Sequence, residues 1–151
     1  MKYETVITVD LPRDEFIKKL DNSENMKHWM RGLVSYEFLD NHPGEVGAKM
    51  KMHFKHKNRD MVMTETILKK DLPHEFHMQY EANGVLNIQQ NIFREVDLKK
   101  TQWVSRSEFK FTSPMLKLMS FFMKGAFKKQ SMQYAKDFKN FAEHGTSVAN
   151  S

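Results

Sequence analysis

The chain has no cysteine. Disulfides, thiolate zinc centres and a cysteine nucleophile are therefore excluded. The lack also fits a reducing compartment, so a cytoplasmic location is expected. Proline and glycine are scarce, at 4 and 6 of 151 residues. No linker, repeat or low-complexity stretch interrupts the chain. One domain over residues 1–145 is expected, with a flexible tail at 146–151. Long apolar runs are missing too. The most apolar stretch, PMLKLMSFFMKGAF at 114–127, falls short of the about 20 residues that a membrane-crossing helix needs. The opening MKYETVITVDLP is broken by charge before a signal-peptide core forms, and it is expected to be a strand.

What is present is methionine, phenylalanine and lysine. There are 12 Met and 12 Phe, and Lys plus Arg exceed Asp plus Glu by 24 to 19, a net charge of +5. The lysines are scattered through most of the chain, whereas a nucleic-acid groove needs them clustered, so no nucleic-acid partner is expected.

The periodicity gives an element order. Residues 2–10 alternate and form a first strand. Pro12 and the acids Asp14 and Glu15 open a short helix to about Leu20, and a second helical piece covers about Glu24 to Met30. From Leu33 the period is two. Six strands follow, punctuated by Asp40–Gly44, Asn58–Asp60, Asp71–Pro73, Asn83-Gly84 and Asp97–Lys100. Asn83-Gly84 is the strongest hairpin signal, because both residues accept positive φ. Ser113-Pro114 then caps a helix that runs to His144 and stops at Gly145. This is an α+β pattern in which one long helix covers one face of an antiparallel meander.

The faces turned toward that helix are unusual in composition. Met50, Met52 and Phe54 alternate with Lys49, Lys51 and Lys55. Phe76, Met78 and Tyr80 share a parity, and so do Trp103, Phe109 and Phe111. On the helix, Leu116, Met119, Met123, Phe127, Gln130, Tyr134, Phe138 and Phe141 form one stripe. Met and aromatic side chains dominate, and Met fills irregular space. His56, Tyr80, Gln90, Ser105, Ser107 and Gln130 place polar groups on the same faces, which suggests water or a ligand there. A ligand cavity is expected, lined by Met52, Phe54, Met78, Tyr80, Trp103, Phe109, Met119, Met123, Phe127, Gln130 and Tyr134.

Catalytic and metal motifs are sparse. HEFH at 74–77 is one residue short of the zincin pattern, and on a strand its two histidines point to opposite faces. His53 and His56 diverge in the same way. No metal site and no cofactor are expected, and no catalytic set is assigned. Glu65 has the parity of Met63 and Ile67, so it is either a buried carboxyl that acts as a base or, the preferred reading, a glutamate near a sheet edge paired with a lysine.

The order β-αα-β₆-α resembles the START-like, helix-grip superfamily, in its bacterial polyketide-cyclase and lipid-transport branch. HWMRGLVSYEFLDNHPGEVGAKMKMHF is similar to that branch's passage from the second helix into the first hairpin. TETILKKDLP is similar to its E-x-(I/V)-x₃-D-x-P strand end, and TQWVSRSEFKF with the Met/Phe-rich helix to its last strand and lid. The resemblance implies a curved seven-stranded antiparallel sheet with two short helices and a long C-terminal helix across it. It also implies a cavity protein, whose expected function is binding or transport of a lipid, acyl chain, isoprenoid or polyketide-like molecule. The alternative is a cyclase, dehydratase or hydrolase acting in the same cavity. A monomer or homodimer is expected, with weak membrane-surface contact. In such a fold the short helices lie beside one end of the long helix. Met26, Trp29, Met30 and Leu33 are accordingly expected to meet a second helix stripe, Met115, Leu118, Phe122 and Ala126. Trp29, Met30 and Phe122 would form a gate ringed by Lys117, Lys124 and Lys128.

Overall fold

Segments of period two become strands, and the one long segment of period 3.6 becomes a helix. In the computed structural model, which describes residues 1–149, the order is β1 (Lys2–Val9), α1 (Arg13–Leu20), a 3-10 turn (Ser23–Asn25), α2 (Met26–Trp29), β2 (Leu33–Phe38), β3 (Lys49–His56), β4 (Arg59–Asp71), β5 (Glu75–Ala82), β6 (Val85–Asp97), β7 (Lys100–Phe111) and α3 (Pro114–His144). α1 carries Asp14 and Glu15 in its first turn and Lys18 and Lys19 in its last, matching the helix dipole at both ends. α3 is capped by Ser113, whose Oγ accepts from the Leu116 N–H at 3.1 Å, and it ends on Gly145 at φ 71°.

The strands form one antiparallel sheet in the order β1-β7-β6-β5-β4-β3-β2. Two hairpins fix the register of its central part. Asn83 and Gly84, at φ 46° and 79°, join β5 to β6 so that Ala82 pairs with Val85. The β3–β4 turn sits one residue earlier than expected. Lys57, at φ 56°, and Asn58 turn the chain, and His56 already pairs with Arg59.

β1 closes the sheet against β7, with Lys2 opposite Glu108 and Val9 opposite Thr101. This pairing decides where the helices lie. β1 delivers α1 at the end of the sheet where β7 begins. β7 delivers α3 at the other end. α3 must then run back along the sheet, and its C-terminal half meets α1 and α2. There the core is an aromatic plug: Phe16 lies 5.3 Å from Phe93 and 4.9 Å from Phe138, and Trp29 lies 5.2 Å from Phe138, ring centre to ring centre. Such pairs add about 0.5–1.5 kcal/mol each beyond their buried area. A second cluster, Met26, Met50, Met52 and Phe54, lies under β3. The same strand turns Lys49, Lys51 and Lys55 to solvent, as the alternation demands.

Arg31 fastens α2 to α3. Its guanidinium donates two parallel bonds of 3.0 Å to Asp137, whose carboxylate is only 4% exposed and also accepts from Gln133 at 2.9 Å. Of the expected tail, Val148 N–H donates to the His28 carbonyl at 3.0 Å and Ser147 Oγ lies 2.8 Å from His28 Nδ1, while residues 150 and 151 lie outside the described residues.

Candidate ligand cavity

Between α3 and the inner face of the sheet is a cavity of about 760 Å³. The aromatic plug fills the space at the α1/α2 end. Around the cavity the wall is rich in methionine: Met50 and Met52 from β3, Met61 and Met63 from β4, Met78 from β5, Met26 at the start of α2 and Met30 just after it. Flexible, unbranched side chains adapt to irregular space, so this wall can mould itself to varied contents. Phe109, from β7, stacks on Phe127, from α3, at 5.0 Å and forms the opposite flank.

Of the residues expected here, Met52, Phe54, Met78, Tyr80, Trp103, Phe109, Phe127, Gln130 and Tyr134 all border the cavity. Met119 and Met123 do not border it. They lie in the first half of α3, where the stripe has run past the sheet, and are 52% and 45% exposed. The gate is also placed differently. Met30 borders the cavity, and so does Trp29 from its place in the aromatic plug, but Phe122 is 78% exposed and does not. Met26, Trp29, Met30 and Leu33 do not meet Met115, Leu118, Phe122 and Ala126. The β1–β7 pairing puts α2 against the C-terminal half of α3, whereas that stripe lies in the N-terminal half.

The polar wall combines expected residues with others. Tyr80, Ser105 and Gln130 border the cavity and Ser107 is buried, but His56 and Gln90 are exposed and do not border it. The β6 residues that border the cavity are Val85 and three polar ones, Asn87, Gln89 and Asn91. The polar three make two separate hydrogen bonds: Gln89 Nε2 donates to Asn87 Oδ1 at 2.9 Å, and Trp103 Nε1 donates to Asn91 Oδ1 at 2.9 Å. Tyr3 OH lies 2.6 Å from Ser131 Oγ across the β1–α3 seam. Two buried donors at the wall, Trp29 Nε1 and Asn91 Nδ2, have no partner among the described residues.

Glu65 is a buried carboxylate in the wall, whereas Asp21, which also borders the cavity, is exposed. β4 is interior to the sheet, so Glu65 is not an edge residue paired with lysine; it faces Met50 on one side and Tyr80 on the other. It is 9% exposed. Burial raises its pKa above the ordinary carboxylate value, and the Tyr80 phenol pulls it partly back. Tyr80 is pushed well above the ordinary phenol range, chiefly by burial and then by the Glu65 charge. The pair offers a proton donor and a carboxyl in a hollow walled mostly by methionine and aromatic side chains. Among the described residues no three His, Asp or Glu side chains gather to hold a metal.

No family model matches the sequence. The sequence also matches no curated protein. Solved structures do match in shape. A conserved protein from Geobacillus kaustophilus has a TM-score of 0.77 at 11% identity, over 94% of this chain and 95% of that one. The Zhui aromatase/cyclase from Streptomyces sp. R1128 has a TM-score of 0.72 at 12% identity, over 98% and 99%. Ara h 8.0201 has a TM-score of 0.73 at 13% identity, over 94% and 97%. The architecture they share with this chain is the helix-grip fold.

Proposed function

We propose that the chain binds a hydrophobic or amphipathic small molecule in the cavity between α3 and the sheet. The observation that carries this reading is a hollow of about 760 Å³ walled by methionine and aromatic rings. Ligand sites are commonly of this size and are mostly apolar with a few placed polar groups. The unpartnered donors of Trp29 and Asn91 favour a ligand with an oxygen acceptor, because a buried unmet donor costs about 1–3 kcal/mol. Lipids, acyl chains, isoprenoids and polyketide-like molecules all fit this description.

A second reading, turnover of the same ligand, rests on Glu65 and Tyr80. A buried carboxyl with a raised pKa beside a phenol is suited to proton transfer. One experiment addresses both readings. Native mass spectrometry of the protein as purified, followed by titration with a fluorescent fatty acid, is expected to give one ligand per chain. Failure of fatty acids, isoprenoids and aromatic polyketides alike to bind would remove the binding reading. A bound compound whose mass changes on incubation, and is unchanged with Glu65→Gln, would establish turnover.

A further inference from the structure

Among the described residues, nothing covers the outer face of the first half of α3. Leu116 and Ser120 turn toward the body of the protein: Leu116 lies over the β5–β6 turn at Gly84, and Ser120 is buried. On the opposite side Met115, Leu118, Phe121 and Phe122 are 73%, 62%, 78% and 78% exposed. At about 100° per residue, Met115, Leu118 and Phe122 fall within one outward arc and Phe121 beside it. Lys117, Lys124 and Lys128 fall together along one flank of that arc. From Phe109 to Lys136 the sequence holds six lysines and no acidic residue.

We propose that this face docks on an anionic lipid bilayer. Two observations select that occupant. The apolar arc with a cationic flank matches a helix lying in the plane of a membrane interface, with rings in the acyl boundary and lysines reaching the phosphates. The charge also disfavours a second copy of the chain packed antiparallel: that two-fold contact sets the patch against itself, so the lysine flank of one α3 would face that of the other, and the segment from Phe109 to Lys136 holds no carboxylate to offset it. Phe127 and Gln130, on the next turns of α3, border the cavity. Docking would therefore bring that end of the cavity to the lipid. The surface stands apart from the ligand reading, because the docking residues do not border the cavity.

The test is co-sedimentation with vesicles of phosphatidylcholine alone and of phosphatidylcholine mixed with phosphatidylglycerol. The protein is expected to pellet with the mixed vesicles only, and to be released by salt. Each lysine near an anionic surface is worth about five-fold in affinity. Lys117→Ala/Lys124→Ala/Lys128→Ala is thus expected to lose on the order of 100-fold. Phe121→Ser/Phe122→Ser is expected to weaken binding even at low salt, with its circular dichroism spectrum and fluorescent fatty-acid titration unchanged. Equal binding to both vesicle types, or none to either, would overturn the proposal. So would a dimer in sedimentation velocity that Phe122→Glu dissociates. Wild-type salt release keeps the test decisive even if a variant misfolds.

Discussion

Burial at Glu65 shifts the proton balance of the folded chain toward the acid form. The sign of the effect on stability follows from linkage. Between the ordinary carboxylate pKa and the raised folded value, the folded chain holds a proton that the unfolded chain has lost. The stabilising contribution is therefore complete at low pH and declines as pH rises through that window. Glu65→Gln removes this titration. In urea unfolding at stepped pH, the variant is expected to gain on the wild type progressively above the ordinary carboxylate range. A stability difference that is flat across pH would mean that Glu65 ionises freely in the fold. The burial of Glu65 was within reach of the sequence. A two-residue turn at Lys57–Asn58 sets Met52 opposite Met63 and Met50 opposite Glu65, and directly opposed residues share a face. Placing the turn one residue later hides this, and the nearby lysines then suggest an edge ion pair.

The elements themselves were legible because period two and period 3.6 separate cleanly here, and because Ser113 and Gly145 mark the ends of α3. The inward face of β6 was not, since Gln89, Gln90 and Asn91 are polar at both parities. The hairpin holds the missing information. With Asn83-Gly84 as a two-residue turn, Tyr80, Met78 and Phe76 must face Asn87, Gln89 and Asn91. The second stripe, Met115, Leu118, Phe122 and Ala126, sets the first half of α3 apart in the sequence, but the main stripe continues past the sheet without a break and so does not show where the sheet ends. Gly125 stands in the exposed half, with nothing within 4 Å of where a Cβ would sit. Gly125→Ala is therefore expected to stabilise the helix by about 1 kcal/mol, raising the melting temperature by about 2–4 °C. A lowered melting temperature would show that the helix needs a bend at that position.

For the molecule as a whole, the hollow divides the interior into an aromatic plug and a methionine-lined shell. The shell lacks packing partners on its inner side, so a molecule that fills the cavity supplies contacts that the empty fold does not have. A ligand held at 100 times its dissociation constant adds about 2.7 kcal/mol to stability. For a chain of this size the melting temperature is expected to rise by about 5–10 °C, and differential scanning calorimetry on stripped and reloaded protein would measure it. A ligand that binds without raising the melting temperature would have to bind the unfolded chain equally well. The β1–β7 pairing carries a different consequence, for synthesis. Lys2 finds its partner only at Glu108. On the ribosome β1 emerges early, yet it waits through five later strands for β7. The sheet is thus zipped from β2 toward β7 while its first strand hangs free, and nascent chains stalled before residue 100 would expose an unpaired β1 to chaperones.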